Sequence, residues 1–240
     1  MKSLKHLYIL AALLSGCGAP HGRPVREAAI PAPKEVLSFD ALYAENCAGC
    51  HGKDGRGGAA IALGNPVYLA IADQAAIRKT IASGVRGTAM PAFAESAGGL
   101  LTEAQVDAIA DGIRSRWGRP GILDGVHSPS YAAQSAGDAE RGRAAFRTYC
   151  ASCHGPDGNA GDEGSAITND SYLALTSDQG LRTIVIAGRP ELGAPDWRGN
   201  VEGRPMSDQE ITDVVAWLVS RRAQAPGQPY SSSASNHMER

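Results

Sequence analysis

Apolar positions along the chain fall into short helical stripes separated by glycine-rich turns. Phe39, Leu42 and Tyr43 share one face of a helix that runs straight into Cys47. Residues 65–72 and 74–83 read as one or two short helices. A longer helix opens at Thr102, which forms a capping box with Gln105, and carries Val106, Ile109, Ala110 and Ile113 as its apolar stripe. The same order then returns. A helix capped by Asp138 carries Phe146 into Cys150, and Tyr172-Leu173-Ala174 echoes Tyr68-Leu69-Ala70. Ser207 with Glu210 caps a last helix striped by Ile211, Val214, Val215 and Leu218. The pattern predicts an all-α chain of two similar units, because self-similarity at a long period marks a repeated structural unit.

The remaining segments divide the 240 residues. Residues 1–16 place Lys2 and Lys5 ahead of a brief apolar run and small residues, the pattern of an export signal; the run is too short to span a bilayer. Residues 17–36, rich in Ala, Pro, Gly and Arg, read as a tether. The first unit spans 37–118 and the second 138–223. An aperiodic linker occupies 119–137, and a disordered tail is expected over 224–240.

Each unit is small for an unaided core, so a buried prosthetic group would supplement it by offering apolar surface to pack against. Aromatic residues make up only 5% of the chain, which suits a core built around a cofactor. The net charge is -2, with acids and bases interspersed and no Lys/Arg-rich run, which argues against nucleic acid as a partner.

Cys47-Ala48-Gly49-Cys50-His51 and Cys150-Ala151-Ser152-Cys153-His154 carry the candidate chemistry. C-x-x-C-H is the spacing of a c-type haem attachment site: each thiol forms a thioether to a porphyrin vinyl group, and the adjacent histidine gives the iron an imidazole. A single copy would leave a zinc knuckle or a redox-active cysteine pair open. Two copies in similar flanks, with a Met-Pro downstream of the first, point to two haem c groups. Cys17 is the fifth cysteine, so none remains for a structural disulfide.

With these motifs the chain resembles class I c-type cytochromes, twice in tandem. The resemblance implies a first and last helix packed together in each unit, with haem in a cleft between histidine and methionine loops. It implies covalent attachment at Cys47, Cys50, Cys150 and Cys153 and axial ligation by His51 and His154. Met90 lies 39 residues after His51 in a Met-Pro turn and matches the family's axial methionine, which the resemblance favours over a methionine that merely fills a core gap. In this family the first helix offers a glycine to an aromatic on the last. The second unit has Gly142 and Trp217 there, whereas the first has Phe39 and Gly112, large and small exchanged. Phe39 is therefore expected over Gly112 and Trp217 over Gly142, conserving the summed volume of each crossing.

The second unit departs from the ligand pattern. Aligning Tyr172 with Tyr68 sets Ala194-Pro195-Asp196-Trp197 against Met90-Pro91-Ala92-Phe93, and Ala194 has no donor atom. Met206 is the candidate sixth ligand, reached if the segment holding Gly199 and Gly203 lets it swing in. Its place before the N-cap Ser207, with Ile211 at the fourth helical position, equally suits a hydrophobic staple, the role Leu101 has before Thr102. A vacant or water-bound position is the third reading. His21 and His127 read as solvated loop residues, and His237 and Met238 as parts of the tail.

Leu14-Ser15-Gly16-Cys17 resembles a bacterial lipobox, which implies acylation of Cys17 and stable membrane anchoring through several chains. Gly18 at the following position resembles lipoproteins sorted to an outer membrane. Together these resemblances imply an exported, periplasm-facing bacterial lipoprotein. It would pass electrons between redox partner proteins, as a carrier or as the haem subunit of a larger oxidoreductase, without catalysis of its own. The alternative is a five-coordinate second haem that binds or reduces a small ligand, as a peroxidase or sensor. A peroxidase needs a distal acid–base group, and no histidine follows His154 before the tail.

Overall fold

A computed structural model describes residues 31–161 and 164–223; the signal segment, Cys17, His21 and the tail with His237 and Met238 lie outside them. The chain divides into two compact units, Met1–Glu35 and Val36–Arg240. In the first, Pro33–Glu35 form a 3-10 turn, and the Glu35 carboxylate accepts the Ala32 N–H at 3.0 Å. The second holds both sequence copies.

The first copy contains α1 (Phe39–Asn46), α2 (Ala48–His51), α3 (Pro66–Ile71), α4 (Gln74–Ser83) and α5 (Glu103–Trp117). The second repeats them as α6 (Ala139–Tyr149), α7 (Ala151–His154), α8 (Asp170–Leu175), α9 (Asp178–Ala187) and α10 (Asp208–Ser220). Among the described residues, the β-type pairing consists of two isolated bridges, Ala94 with Leu101 and Arg189 with Ala194. The expected all-α class is what folds.

Local start signals place these helices in matching register. Asn65 caps α3, its Oδ1 accepting the Val67 and Tyr68 N–H groups at 2.9 and 3.3 Å, while Pro66 at the first helical position gives up a donor that would have no partner anyway. Asn169 repeats the cap on α8 at 3.0 and 3.3 Å. Both longest helices of their copies open on complete capping boxes, Thr102 with Gln105 and Ser207 with Glu210. Each such cap stabilises its helix by about 1 kcal/mol, enough to set where these short segments begin.

In each copy the first helix crosses the last. A methyl group added to Gly112 of α5 would overlap the Phe39 ring of α1, which stacks 5.4 Å from Tyr43 and 5.7 Å from Trp117. In the second copy Trp217 of α10 is buried and lies against Gly142 of α6, with its ring centroid 4.3 Å from that of Phe146. The exchange of large and small partners is present, but the two crossings are not equally tight. A methyl on Gly142 would run into the Asp213 carbonyl oxygen before reaching Trp217 Cβ at 2.9 Å, so α6 and α10 meet backbone to backbone. Asp213 fastens the same crossing, accepting from Arg141 Nε at 2.8 Å, the Asp138 N–H at 2.8 Å and Gln209 Nε2 at 2.9 Å.

The apolar core runs on from one copy into the other. At their junction Asn65, 3% exposed, uses its remaining amide hydrogens to donate from Nδ2 to the Ala187 carbonyl at 2.9 Å. The linker forms no regular helix yet is held. Buried Arg182 of α9 donates to the Ser130 carbonyl at 2.9 Å and the Tyr131 carbonyl at 3.1 Å, and pairs with Asp208 at 2.6 Å. No helix of the described residues is long and apolar enough to cross a membrane.

Candidate haem-binding sites

Each C-x-x-C-H motif is a single helical turn added to the end of the first helix of its copy. Cys47 closes α1 with its N–H on the Tyr43 carbonyl at 2.9 Å, and the His51 N–H then donates to the Cys47 carbonyl at 3.0 Å. Cys150 and His154 repeat this on α6 and α7, at 2.8 and 3.0 Å. Helical geometry puts positions i, i+3 and i+4 on one face, so both sulfurs and the imidazole project to the same side of the turn. That is why two intervening residues, and a histidine directly after the second cysteine, are needed.

The histidines are held by one ring nitrogen. His51 Nδ1 lies 2.9 Å from the Ile61 carbonyl oxygen, and His154 Nδ1 lies 2.8 Å from that of Ser165. A carbonyl can only accept, so Nδ1 carries the proton and Nε2 is left with a lone pair that could bind a metal. Burial holds the His51 pKa below its ordinary value, against the opposing pull of the Ile61 carbonyl, and favours the neutral ring.

Burial also raises the first thiol of each motif, with a smaller push from its partner cysteine: Cys47 to about 11 and Cys150 to about 12. Redox-active cysteine pairs work the other way, through a depressed thiol pKa. Neither pair is closed as a disulfide. Among the described residues no group of three or more His, Cys, Asp or Glu side chains converges as a metal-ion site would require. The donor set therefore fits thioether attachment with a single imidazole per motif, and fits the zinc and disulfide-exchange readings poorly.

A glycine loop folds back over each motif. Gly58 lies so close to the Cys50 carbonyl and the His51 backbone that no Cβ fits, and Gly161 sits likewise against the Cys153 carbonyl. The loop rich in glycine after His51 thus passes over the motif's own backbone.

The loops that hold Met90 and Ala194 also run in parallel. Gly84, with φ +65°, ends α4 and abuts the Met90 carbonyl and Pro91, while the Val85 N–H donates to the Met90 carbonyl at 3.0 Å. In the second copy Gly188, with φ +66°, ends α9 and abuts the Ala194 and Pro195 carbonyls, while the Arg189 N–H donates to the Ala194 carbonyl at 3.0 Å. Ala194 thus has the backbone place of Met90. The next turn matches as well. The Leu101 N–H donates to the Phe93 carbonyl at 2.8 Å, and the Met206 N–H donates to the Trp197 carbonyl at 2.9 Å. Leu101 and Met206 are both buried, 6% and 3% exposed, whereas Met90 is only partly covered.

A family model described as cytochrome c oxidase, cbb3-type, subunit III matches residues 35–111 and 137–218, one match on each copy. The chain belongs to this family. It is a c-type cytochrome of class I fold with two haem c groups, and its role is electron transfer. A cbb3-type cytochrome c oxidase subunit CcoP of Azospirillum sp. (strain B510) is 32% identical over 138 residues, covering 51% of this chain and 42% of that one. A cytochrome bc1 complex cytochrome c subunit of Mycobacterium bovis is 28% identical over 198 residues, covering 78% and 64%. The cbb3-type cytochrome c oxidase subunit FixPc of Rhizobium leguminosarum bv. viciae is 30% identical over 168 residues, covering 65% and 52%. This subunit III family member spans less than two thirds of the length of each of these relatives.

Two residues that join the copies of this family member went unmarked in its sequence. Arg189, beside Ala194, reaches across with Nη2 to the Gly58 carbonyl at 3.1 Å, and so ties the second copy's Ala194 loop to the loop over the first motif. It also pairs with Glu191. Asn65, a helix cap like its counterpart Asn169, turns its amide toward the second copy. Neither carries a periodicity or spacing signal, since each acts on a backbone carbonyl more than 100 positions away.

Proposed function

We propose that this chain is the periplasm-facing, haem-bearing electron carrier of a membrane-bound oxidoreductase, anchored by acyl groups on Cys17, with the outer membrane as its site. Residues 37–118 and 138–223 are its two cytochrome domains, 119–137 their linker, 1–16 the export signal, 17–36 the tether and 224–240 the tail. Cys47 and Cys50 hold one haem, and Cys150 and Cys153 the other. His51 and His154 would each give an iron its imidazole ligand, and Met90 would supply a thioether ligand to the first. The relatives support a place in a larger complex, since their names assign them to cbb3-type oxidases and bc1 complexes.

The observation that carries this reading is the repeated pairing of a one-turn C-x-x-C-H helix with a histidine whose Nδ1 is tied to a carbonyl, at 2.9 Å in one copy and 2.8 Å in the other. Bound haem supplies a one-electron redox centre whose potential follows from its axial ligands and burial. The chain's own groups do the rest. Ile61 and Ser165 fix the imidazole tautomers, the glycine loops close over the motifs, and Asn65 and Arg189 hold the two copies in one geometry.

The test is a haem count and a potentiometric titration on the exported full-length protein. Two covalently bound haems per chain, both titrating reversibly, are expected. Polypeptide without added haem mass would overturn the reading. Release from the membrane fraction by Cys17→Ser is expected for the anchor, and retention of that variant would refute acylation there.

A further inference from the structure

The two copies present different side chains at the loop position that holds Met90 in the first, and the difference is structural. Four backbone relationships superpose the second copy's loop on the first. Glycine ends the preceding helix at positive φ, at Gly84 and Gly188. The residue after it donates to the carbonyl of Met90 in one copy and Ala194 in the other, at 3.0 Å in both. The aromatic three residues later donates back to the end of that helix, Phe93 to Ile81 at 3.2 Å and Trp197 to Ile186 at 3.1 Å. The residue before the last helix's N-cap then donates to that aromatic's carbonyl, from Leu101 at 2.8 Å and from Met206 at 2.9 Å. Met90 therefore has Ala194 as its counterpart, and Met206 has Leu101.

Met206 is a core side chain in that place. It is 3% exposed, it precedes the capping box of α10, and Asn200 Nδ2 approaches its sulfur at 3.9 Å. Its N–H bond to the Trp197 carbonyl and the packing of its side chain in the core hold it in that place. Ala194 offers only a methyl group. A methyl group has no lone pair to give to iron.

We infer that the second haem is ligated by the protein through His154 alone, and that its sixth position is an exchangeable site for a small neutral ligand such as carbon monoxide. This rests on the proposed attachment of haem at Cys150 and Cys153. Met206 is a hydrophobic staple, and the identity of residue 194 sets the coordination number.

The experiment uses the exported holoprotein and three of its variants. Ferric wild type is read by EPR, and the dithionite-reduced protein is titrated with carbon monoxide. One low-spin and one high-spin ferric haem are expected, with carbon monoxide binding to one haem of the two. Met206→Leu should leave both readings unchanged. Ala194→Met should convert the high-spin signal to low-spin and abolish carbon monoxide binding, while Ala194→Leu blocks ligand entry without creating a low-spin signal. Two low-spin signals in wild type, or a new high-spin signal in Met206→Leu, would overturn the inference while leaving two-haem attachment intact. A haem count of one per chain would instead sink the attachment reading, and the inference with it.

Discussion

Gly142 is where a single methyl group should matter most to the fold. In Gly142→Ala the new Cβ meets the Asp213 carbonyl oxygen, and next Trp217 Cβ at 2.9 Å. The first is backbone in the middle of α10, pinned by its own helix, so the two helices must separate. Overpacking of this kind costs about 1–3 kcal/mol, and rigid backbone puts it near the upper end. Alanine returns about 1 kcal/mol through its better helix propensity. The net expectation is a loss of about 2 kcal/mol. Gly112→Ala is the internal control. There the added methyl meets side-chain atoms alone, the Phe39 ring and the Phe39 Cβ at 2.8 Å; the partly exposed ring can turn away and a small shift of α1 relieves Cβ, at a cost of about 1 kcal/mol offset by a similar propensity gain. For a chain of this size the difference corresponds to a melting temperature lower by about 4–8 °C for Gly142→Ala than for Gly112→Ala. Thermal unfolding of the two holoprotein variants, followed by far-ultraviolet circular dichroism, measures it. Gly142→Ala melting at or above wild type, or Gly112→Ala losing more than Gly142→Ala, would show that the backbone contact between α6 and α10 does not limit this crossing.

The two cap asparagines should separate in the same way: Asn65→Ala loses a cap and the bond to the Ala187 carbonyl, about 2–3 kcal/mol in urea unfolding, whereas exposed Asn169→Ala loses about 1 kcal/mol. Equal losses would mean that the contact between copies contributes nothing. Asp213 sets an acid limit. Burial acts to raise its pKa, but the Arg141 guanidinium, the Asp138 N–H and the Gln209 amide together hold it below the ordinary carboxylate value. A depressed folded-state pKa gives stability that is fully present above the unfolded value, near 4, and is lost as pH falls through the folded value. Asp213→Asn should therefore lower stability at pH 7 and flatten the decline below about pH 4, and an unchanged acid limb in this variant would refute the assignment. From the proposed ligation at the first iron, Met90→Leu should lower that haem's potential by roughly 0.1 V or more, within the range of about 0.8 V that axial ligands span. A potential that did not move would place Met90 in the core instead.

Much of this protein is legible in its amino-acid order because the deciding interactions are local. Helical stripes such as Val106, Ile109, Ala110 and Ile113 report neighbours on one helix face, and the caps at Thr102 and Ser207 act within a single turn. The two C-x-x-C-H motifs need only one turn of helix to gather their sulfurs and imidazole. Even the exchange of Phe39–Gly112 for Gly142–Trp217 could be read by laying one copy on the other.

Long-range pairing had to come from the tertiary structure. In sequence Met206 suited iron ligation and core packing alike, and only the hydrogen bond to Trp197, matched by that between Leu101 and Phe93, gives it a place. The linker looked featureless because its order comes from Arg182, a buried cation more than 50 positions away that satisfies its carbonyls. The meeting of the copies rests on Asn65 and Arg189 donating to backbone carbonyls. Every residue offers such a carbonyl, so no residue type marks the acceptor in advance. Periodicity and spacing describe what one stretch of chain does to itself, and the contact between stretches is decided only when they fold together.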